Sequence, residues 1–328
     1  MKINKNLLFI YGEDARIRIN DLSKLLKTSS QHMKYLLNSI EKRGFLIEPY
    51  CIFDYSYFNL ILFRVYFKGA YISDKDKSET IDQLAKNEYV VSIYELSGEF
   101  DLVIEIEAPN PSRFNKVLKA IIEANQTLRN FKIVLNIVSY LYPRFYLPEN
   151  TDLGSHIPSY KIIGGDRQYE KFNLNELQII KNLLHKPCAR MATLAKLSSI
   201  NIKTAKAAFL NLQKRGIIRG FKYAIDNNKL SIYRSRLFLK LHNLNKESEE
   251  KLLEYLLRAI EIIRANKTVG DWDLEVDIES FDKTRIRQVV IEIRDLFRGI
   301  IENFNIMEFH CQYKMSYLPK YYFEQELK

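Results

Sequence analysis

Residues Ser97–Ile106 read SGEFDLVIEI, and residues Val269–Ile278 read VGDWDLEVDI. Glycine, an acid, an aromatic ring, aspartate and leucine recur in order, each displaced by 172 positions. A constant offset between such stretches marks an internal repeat, and a repeat settles the architecture before any single element is read. Working outward, the same offset lays Glu41-Lys42-Arg43-Gly44-Phe45-Leu46 on Gln213-Lys214-Arg215-Gly216-Ile217-Ile218, and Leu22-Ser23-Lys24-Leu25 on Leu194-Ala195-Lys196-Leu197. The register slips only near the ends, where SYLYPRFYL (Ser139–Leu147) matches MSYLPKYYF (Met315–Phe323) after a few extra residues. The chain of 328 residues is therefore two copies of one two-part unit.

Each unit opens with three helical patterns. In copy one, Leu7, Leu8, Ile10 and Tyr11 are followed by Ile19, Leu22, Leu25 and Leu26, then by a cap at Ser29, the stripe Met33, Leu37, Ile40 and a stop at Gly44. Copy two supplies the capping box Asn173–Glu176 before Leu177, Ile180 and Leu184. It continues with Leu194 and Leu197, the cap Asn201, the stripe Ala205, Phe209, Leu212 and the stop Gly216. Three short helices of this kind make a helix-turn-helix, and the strand signals after each glycine, FLIEPYCIF and IIRGFKYAI, read as a wing or covering hairpin.

The period then changes. Copy one runs through strand LILFRVYF, helix SETIDQLAKN, strand YVVSIYEL, the Gly98 turn, strand DLVIEIE, helix SRFNKVLKAIIEAN and strand FKIVLNIVSYLY. That order is β-α-β-β-α-β, a ferredoxin-like unit. In copy two, Leu274, Val276 and Ile278 alternate with Glu275, Asp277 and Glu279, so one sheet face packs on helices and the other is polar. The expected fold class is α+β, two tandem copies of a winged helix-turn-helix followed by a ferredoxin-like βαββαβ domain. The segments are 1–58 and 172–231 for the heads, 59–147 and 232–328 for the βαββαβ parts, and 148–171 for a linker whose Gly164-Gly165 reads as a hinge.

Composition narrows the function. With 47% apolar and 27% charged residues, no apolar run of membrane-spanning length and no signal-peptide pattern at the start, the expectation is a cytoplasmic protein. Cys51, Cys188 and Cys311 are scattered, and are expected to be buried thiols outside any disulfide or zinc site. The net charge of +10 is localised. Lys181–Lys222 holds ten Lys and Arg and no acid, and residues 1–50 hold nine against five. The remainder carries 31 basic and 35 acidic residues, so a polyanion partner is expected for the two heads alone.

A helix in the major groove reads bases from the face opposite its core stripe. In copy one that face carries Gln31, His32, Lys34, Tyr35 and Asn38, beside the cap Ser29. Gln and Asn pair bidentately with adenine, and Lys34 reaches guanine or phosphate. Copy two offers Lys203, Thr204 and Lys206 beside the cap Asn201, with Arg215 and Arg219 following. Head one is expected to read sequence and head two to grip phosphate. In the turns, Glu99, Asp101, Asp271 and Asp273 either accept from an effector's ammonium or cap their own backbone amides.

A helix-turn-helix followed by βαββαβ, with EKRG or QKRG ending the recognition helix and Gly-acid-aromatic-Asp between the central strands, resembles the Lrp/AsnC (feast/famine) transcriptional regulators over nearly the whole chain, twice. The resemblance implies a double-stranded DNA partner, and a small effector such as an amino acid at Gly98, Glu99, Asp101, Gly270, Asp271 and Asp273. It implies βαββαβ modules that assemble in pairs. The chain departs from the family by fusing two units, so an intramolecular pseudo-dimer is expected, itself pairing into a homodimer, in place of a symmetric octamer. No cofactor, metal or enzymatic activity is expected. Two alternatives stay open: a sirohaem-decarboxylase-like enzyme on the same pair of modules, although no His, Tyr and Arg cluster stands out in the sequence, and a sensor or interaction protein that no longer binds DNA.

Overall fold

A computed structural model describes residues 4–243 and 245–326; residues 1–3 and 327–328, the outer ends of the first and last expected segments, lie outside that set. Copy one runs α1 (Lys5–Glu13), α2 (Ile19–Leu25), α3 (Ser30–Lys42), β1 (Leu46–Phe53), β2 (Ile61–Lys68), α4 (Asp74–Lys86), β3 (Val90–Ser97), β4 (Leu102–Ala108), α5 (Pro111–Ala124) and β5 (Asn130–Leu141). A connecting segment carries β6 (Lys161–Gly164). Copy two repeats the order as α6 (Leu174–His185), α7 (Met191–Leu197), α8 (Ile202–Lys214), β7 (Ile218–Ile225), β8 (Tyr233–Leu241), α9 (Lys246–Arg258), β9 (Ile262–Val269), β10 (Leu274–Ser280), α10 (Lys283–Leu296) and β11 (Ile301–Met315). Helix α11 (Lys320–Glu326) follows. Two tandem helix-turn-helix plus βαββαβ units are present.

Sequence chemistry sets the helix ends. The Ser29 hydroxyl accepts from the His32 amide at 3.1 Å, Met33, Leu37 and Ile40 bury one face of α3, and the chain leaves through Gly44 at φ 64°. Phe45 then donates back to the Ile40 carbonyl at 3.3 Å, satisfying an end group that would otherwise be orphaned. Helix α8 repeats the device with Asn201, the stripe Ala205, Phe209, Leu212, and Gly216 at φ 75°. The capping box expected at Asn173 and Glu176 is formed.

The two βαββαβ modules share one antiparallel sheet. Within each copy the order is the ferredoxin-like one, β5-β2-β4-β3 and β11-β8-β10-β9. Strand β3 then pairs with the second half of β11, and the second half of β5 pairs with β9, so eight strands close into a barrel. Helices α4 and α5 cover the outer face of one half and α9 and α10 that of the other, on Phe63, Val65, Ile104 and Ile106 and on Leu237, Val276 and Ile278.

The polar strand faces expected from the alternation are present, but they meet one another inside the barrel instead of water. Arg64, Arg236, Glu275, Asp277 and Glu279 are at most 1% exposed. At the end nearest the Gly98 and Gly270 turns the interior is apolar, plugged by Phe100, Trp272, Tyr66, Phe238 and Met307.

The strand following each head does not fold back as a hairpin. After Phe53 the chain turns through Tyr55–Phe58 directly into β2, leaving β1 no local partner, and it pairs instead with β7, Tyr50 opposite Lys222. The heads exchange partners through this ribbon. Ile225, Leu230 and Ile232 of copy two enter the core of head one, and Cys51, Ile52 and Phe53 of copy one enter that of head two. The connecting segment is also tied down, since β6 pairs with β5 and the Gly164 amide donates to Asp54 at 2.9 Å. A Cβ at Gly164 would stand 2.6 Å from the Tyr55 hydroxyl and 2.9 Å from the Ile137 carbonyl. That glycine marks a close approach of two backbones.

Candidate functional site

The outer faces of the two recognition helices are built as the spacing implies. With Met33, Leu37 and Ile40 turned inward, Gln31, His32, Lys34, Tyr35 and Asn38 of α3 are exposed, and the His32 and Tyr35 rings stack at 6.2 Å. On α8, Lys203 and Lys206 are exposed, with Thr204 half-buried. None of Gln31, Lys34, Asn38, Lys203 and Lys206 is spent in an ion pair among the described residues. The caps Ser29 and Asn201 hold the amides of His32 and Thr204, the latter at 2.8 Å, so each fixes the first turn of its helix.

Two expected phosphate contacts turn inward. Arg215 reaches Glu176 at 2.7 Å and Glu170 at 2.6 Å over the Phe172 ring, and Arg219 reaches the buried Asp54 carboxylate at 3.0 Å. Both guanidiniums brace head two, Arg215 against the connecting segment and the start of α6 and Arg219 against Asp54 just after β1. The outer face of α8 also shows Ile202 and Leu210, each at least half exposed. Of the cysteines, Cys51 is buried, while Cys188 is exposed and Cys311 half-buried, so the expectation of three buried thiols holds for one.

The glycine-acid-aromatic-aspartate turns are capped from within. Asp101 accepts from the amide of Gly69 at 2.5 Å, and Asp273 from the amide of Leu241 at 2.8 Å, at positions again 172 apart. Gly98 and Gly270, at φ 131° and 145°, let each turn lie against the last strand of the other copy, beside the carbonyls of Ile306 and Ile133. Lys132 bridges the turns, 3.2 Å from Glu99 and 3.1 Å from Asp271. All six residues expected around an effector thus come together at one barrel end, with their acids occupied by this chain. None of them lines either cavity described below.

Inside the barrel runs a network of buried charge. Arg64 donates to Glu105 at 2.7 Å and to Glu275 and Asn136 at 2.9 Å. Arg236 holds Asp277 with both arms of its fork, at 2.6 and 3.0 Å, and donates to the Tyr66 hydroxyl, which donates to Glu275. Such pairs survive burial only because nearly every oxygen and N–H has a partner. Burial pushes the Glu105 carboxyl up, but Arg264, Arg64 and Arg236 more than offset it and hold it at about 2. At Asp277 burial is likewise overcome, by Arg236 and then Arg234, and the carboxyl stays well below the usual range.

Beyond the network, between the barrel mouth and the β1–β7 ribbon, lies a cavity of about 170 Å³. Arg144, Lys222, Arg234 and Arg264 line it with Tyr50, Tyr94 and Tyr317. Burial pulls the Lys222 ammonium down to about 8 against the opposing attraction of Glu13, 2.5 Å away. A second, small cavity of about 10 Å³ shares Arg264, Met315 and Tyr317 with it and reaches Glu107. A cluster of tyrosine and arginine is thus present where none stood out in the sequence. Its members come from β1, β3, β7, β8, β9 and the segments just after β5 and β11, and the trace they leave in the strands is arginine, Arg234 and Arg264, inside patterns that are otherwise largely apolar.

No family model matches the chain. Curated relatives do. The HTH-type transcriptional regulator FL11 of Pyrococcus horikoshii is 26% identical over 125 residues, 37% of this chain and 78% of that protein, and FL11 of Pyrococcus furiosus is 27% identical over 122 residues, 35% and 76%. The chain is similar to the Lrp/AsnC regulators, in tandem form. Among solved structures, the siroheme decarboxylase NirDL superposes on this Lrp/AsnC-like tandem with a TM-score of 0.61 at 12% identity, covering 99% of this chain and 98% of that one. At that identity the likeness is one of fold. Among the described residues no helix is long and apolar enough to cross a membrane.

Proposed function

We propose that the chain is a transcriptional regulator that binds double-stranded DNA through its two heads, α3 reading bases and α8 holding phosphate, under the control of a small effector. The observation that carries this reading is the pair of capped recognition helices whose outer faces present Gln31, Lys34, Asn38, Lys203 and Lys206 to solvent. The FL11 relatives, named as HTH-type transcriptional regulators, support it. Because the faces differ in chemistry, the two half-sites need not be alike, and the site need not be a palindrome. Selection of bound duplexes from a random pool, with retention measured against salt, tests this. Retention that falls with salt and an enriched, asymmetric sequence are expected, while no retention at physiological ionic strength overturns the reading.

A second reading rests on the cavity under the ribbon. Arginines, tyrosines and His310 around one space could serve an enzyme acting on a carboxylated ring, and NirDL, whose fold this chain shares over its length, has also been solved with an iron-uroporphyrin III analogue. The cavity's volume weighs against it, since sites for drug-sized ligands run to roughly 300–1,000 Å³. Mixing the purified protein with sirohaem and recording the absorption spectrum decides the matter: a shifted spectrum followed by release of carbon dioxide would establish the enzyme.

A further inference from the structure

The cavity under the ribbon is incomplete in its hydrogen bonding. From outside its lining Glu13 holds Arg144 and Lys222 and Asp277 holds Arg234, and the lining itself carries two acids, Asp226 and Glu279. Of those acids, Asp226 is engaged by Lys229, and Glu279 already accepts from Arg144, Tyr146 and Asn227. Three buried polar atoms on its lining residues have no hydrogen-bond partner among the described residues: Nε of Arg264, Nε of Arg234 and Oδ1 of Asn227. Arg264 is only 6% exposed, and its nearest carboxylate is Glu105 at 3.7 Å. Buried donors and acceptors are seldom left open in folded proteins, and those that are left open at a cavity mark where something else completes them.

We propose that this cavity binds a small organic carboxylate the size of an amino acid, held through its carboxylate by Arg264 and Arg234 and through its apolar body by Tyr50, Tyr94 and Tyr317. The open Asn227 oxygen supplies an acceptor for an ammonium, so the carboxylate is either that of an amino acid or that of the matching 2-oxo acid. The site lies at the far end of the barrel from the Gly98 and Gly270 turns, about 20 Å along β10 from Asp273 to Glu279. It rests on the regulator reading for its purpose. Tyr50 and Lys222 belong to β1 and β7, the strands that leave the two recognition helices, so a ligand here ties the ribbon under both heads to the barrel mouth.

Calorimetric titration of the full chain tests this with L-leucine, with 4-methyl-2-oxopentanoate and with inorganic phosphate as probes. Saturable binding of either carboxylate is expected, with phosphate much weaker. Tighter binding of leucine assigns the ammonium to Asn227, and tighter binding of the oxo acid leaves the carboxylate alone recognised. Both Arg264→Met and Ile47→Trp should weaken binding about tenfold or more. Ile47 lines the cavity but is 55% exposed, so its variant fills the entrance without burdening the core, and it keeps the test decisive if Arg264→Met unfolds. Binding of neither carboxylate, phosphate binding equal to them, binding indifferent to Ile47→Trp, or displacement of the carboxylates by an iron-uroporphyrin would each overturn the proposal. DNA retention measured without any ligand separates the two readings. Retention with no carboxylate binding sinks only the cavity, and carboxylate binding with no retention sinks only the regulator.

Discussion

Glu107 and Glu279 occupy the same place in the two copies. Each amide donates to a carbonyl at the start of the preceding strand region, Glu107 to Tyr89 at 3.1 Å and Glu279 to Glu261 at 2.8 Å, again 172 residues apart. Both side chains are buried, yet their carboxyls are shifted in opposite directions. Burial pushes the Glu107 carboxyl well above its ordinary 4.5, and Glu105 and Asp54 add to the shift. Glu279 feels the same burial, but Arg144 and then Arg234 overcome it and hold the carboxyl down. One contributor differs within the repeat itself, since Leu62 stands in copy one where Arg234 stands in copy two, and the larger one, Arg144, comes from the segment after β5. A duplicated scaffold therefore fixes where a side chain points, and its neighbours decide what it is. The heads divide the same way, with Gln31 and Asn38 on α3 where α8 carries Lys203 and Leu210.

The sharpest way to break this comparison is to neutralise each glutamate. Glu279→Gln removes the buried carboxylate shared by Arg144 and Tyr146, leaving Arg144 with Glu13 and Arg234 with Asp277, and should cost about 3 kcal/mol in denaturant unfolding at neutral pH. Because the folded value of Glu279 lies below the unfolded one, its contribution is present above the ordinary carboxylate range and is lost as pH falls through the folded value, so the deficit should shrink in acid. A variant as stable as the parent at neutral pH would show that Glu279 is not the ionised member of the pair.

Between the heads, replacing Gln31 and Asn38 with alanine should relax base preference at roughly 1–3 kcal/mol per lost base contact, leaving the salt dependence of binding nearly unchanged. Replacing Lys203 and Lys206 should weaken binding to specific and scrambled duplexes alike, and flatten the slope of log affinity against log salt by up to about two units. One salt titration of both double variants on both duplexes reads the two effects. Equal loss of slope in both would erase the distinction between reading and gripping.

The smallest effect belongs to Glu107→Gln. A raised folded value favours the protonated form, so this site contributes fully below about 4.5 and loses that contribution as pH rises towards the folded value. Glutamine cannot ionise, and the variant should match the parent within about 1 kcal/mol in acid and move ahead of it as pH rises. A variant that falls steadily behind above pH 5 would mean that Glu107 is ionised in the fold.

Much of this was legible in the sequence, and what escaped shares a cause. The repeat, the caps at Ser29 and Asn201, the stops at Gly44 and Gly216 and the alternation of Leu274–Glu279 are local signals, and the helices and strands formed where they point. The alternation of Glu275, Asp277 and Glu279 tells which strand face is polar, but a polar face reads the same whether water or another polar face lies opposite. Pairing of β3 with β11 and of β1 with β7 joins residues far apart in the chain and leaves no periodic trace. The cavity depends on both pairings. The inward turn of Arg215 and Arg219 has a related reason, because their partners Glu170, Glu176 and Asp54 lie outside the acid-free window Lys181–Lys222.

The closed barrel also sets a timetable. Strand β3 is complete once residue 97 has been made, while the part of β11 that flanks it spans Glu308–Met315. At about 5–20 residues per second, the ribosome leaves the first half-barrel without its second wall for roughly ten to forty seconds. During that interval its inner face is open and its outer strands are unpaired, the state in which sheets capture the wrong neighbour. Arg64, Glu105 and Glu107 line that inner face, and water can hydrate them until Glu275 and Arg236 arrive. The charges that are expensive to bury at the end of folding are the ones that keep the unfinished chain apart from its neighbours at the beginning.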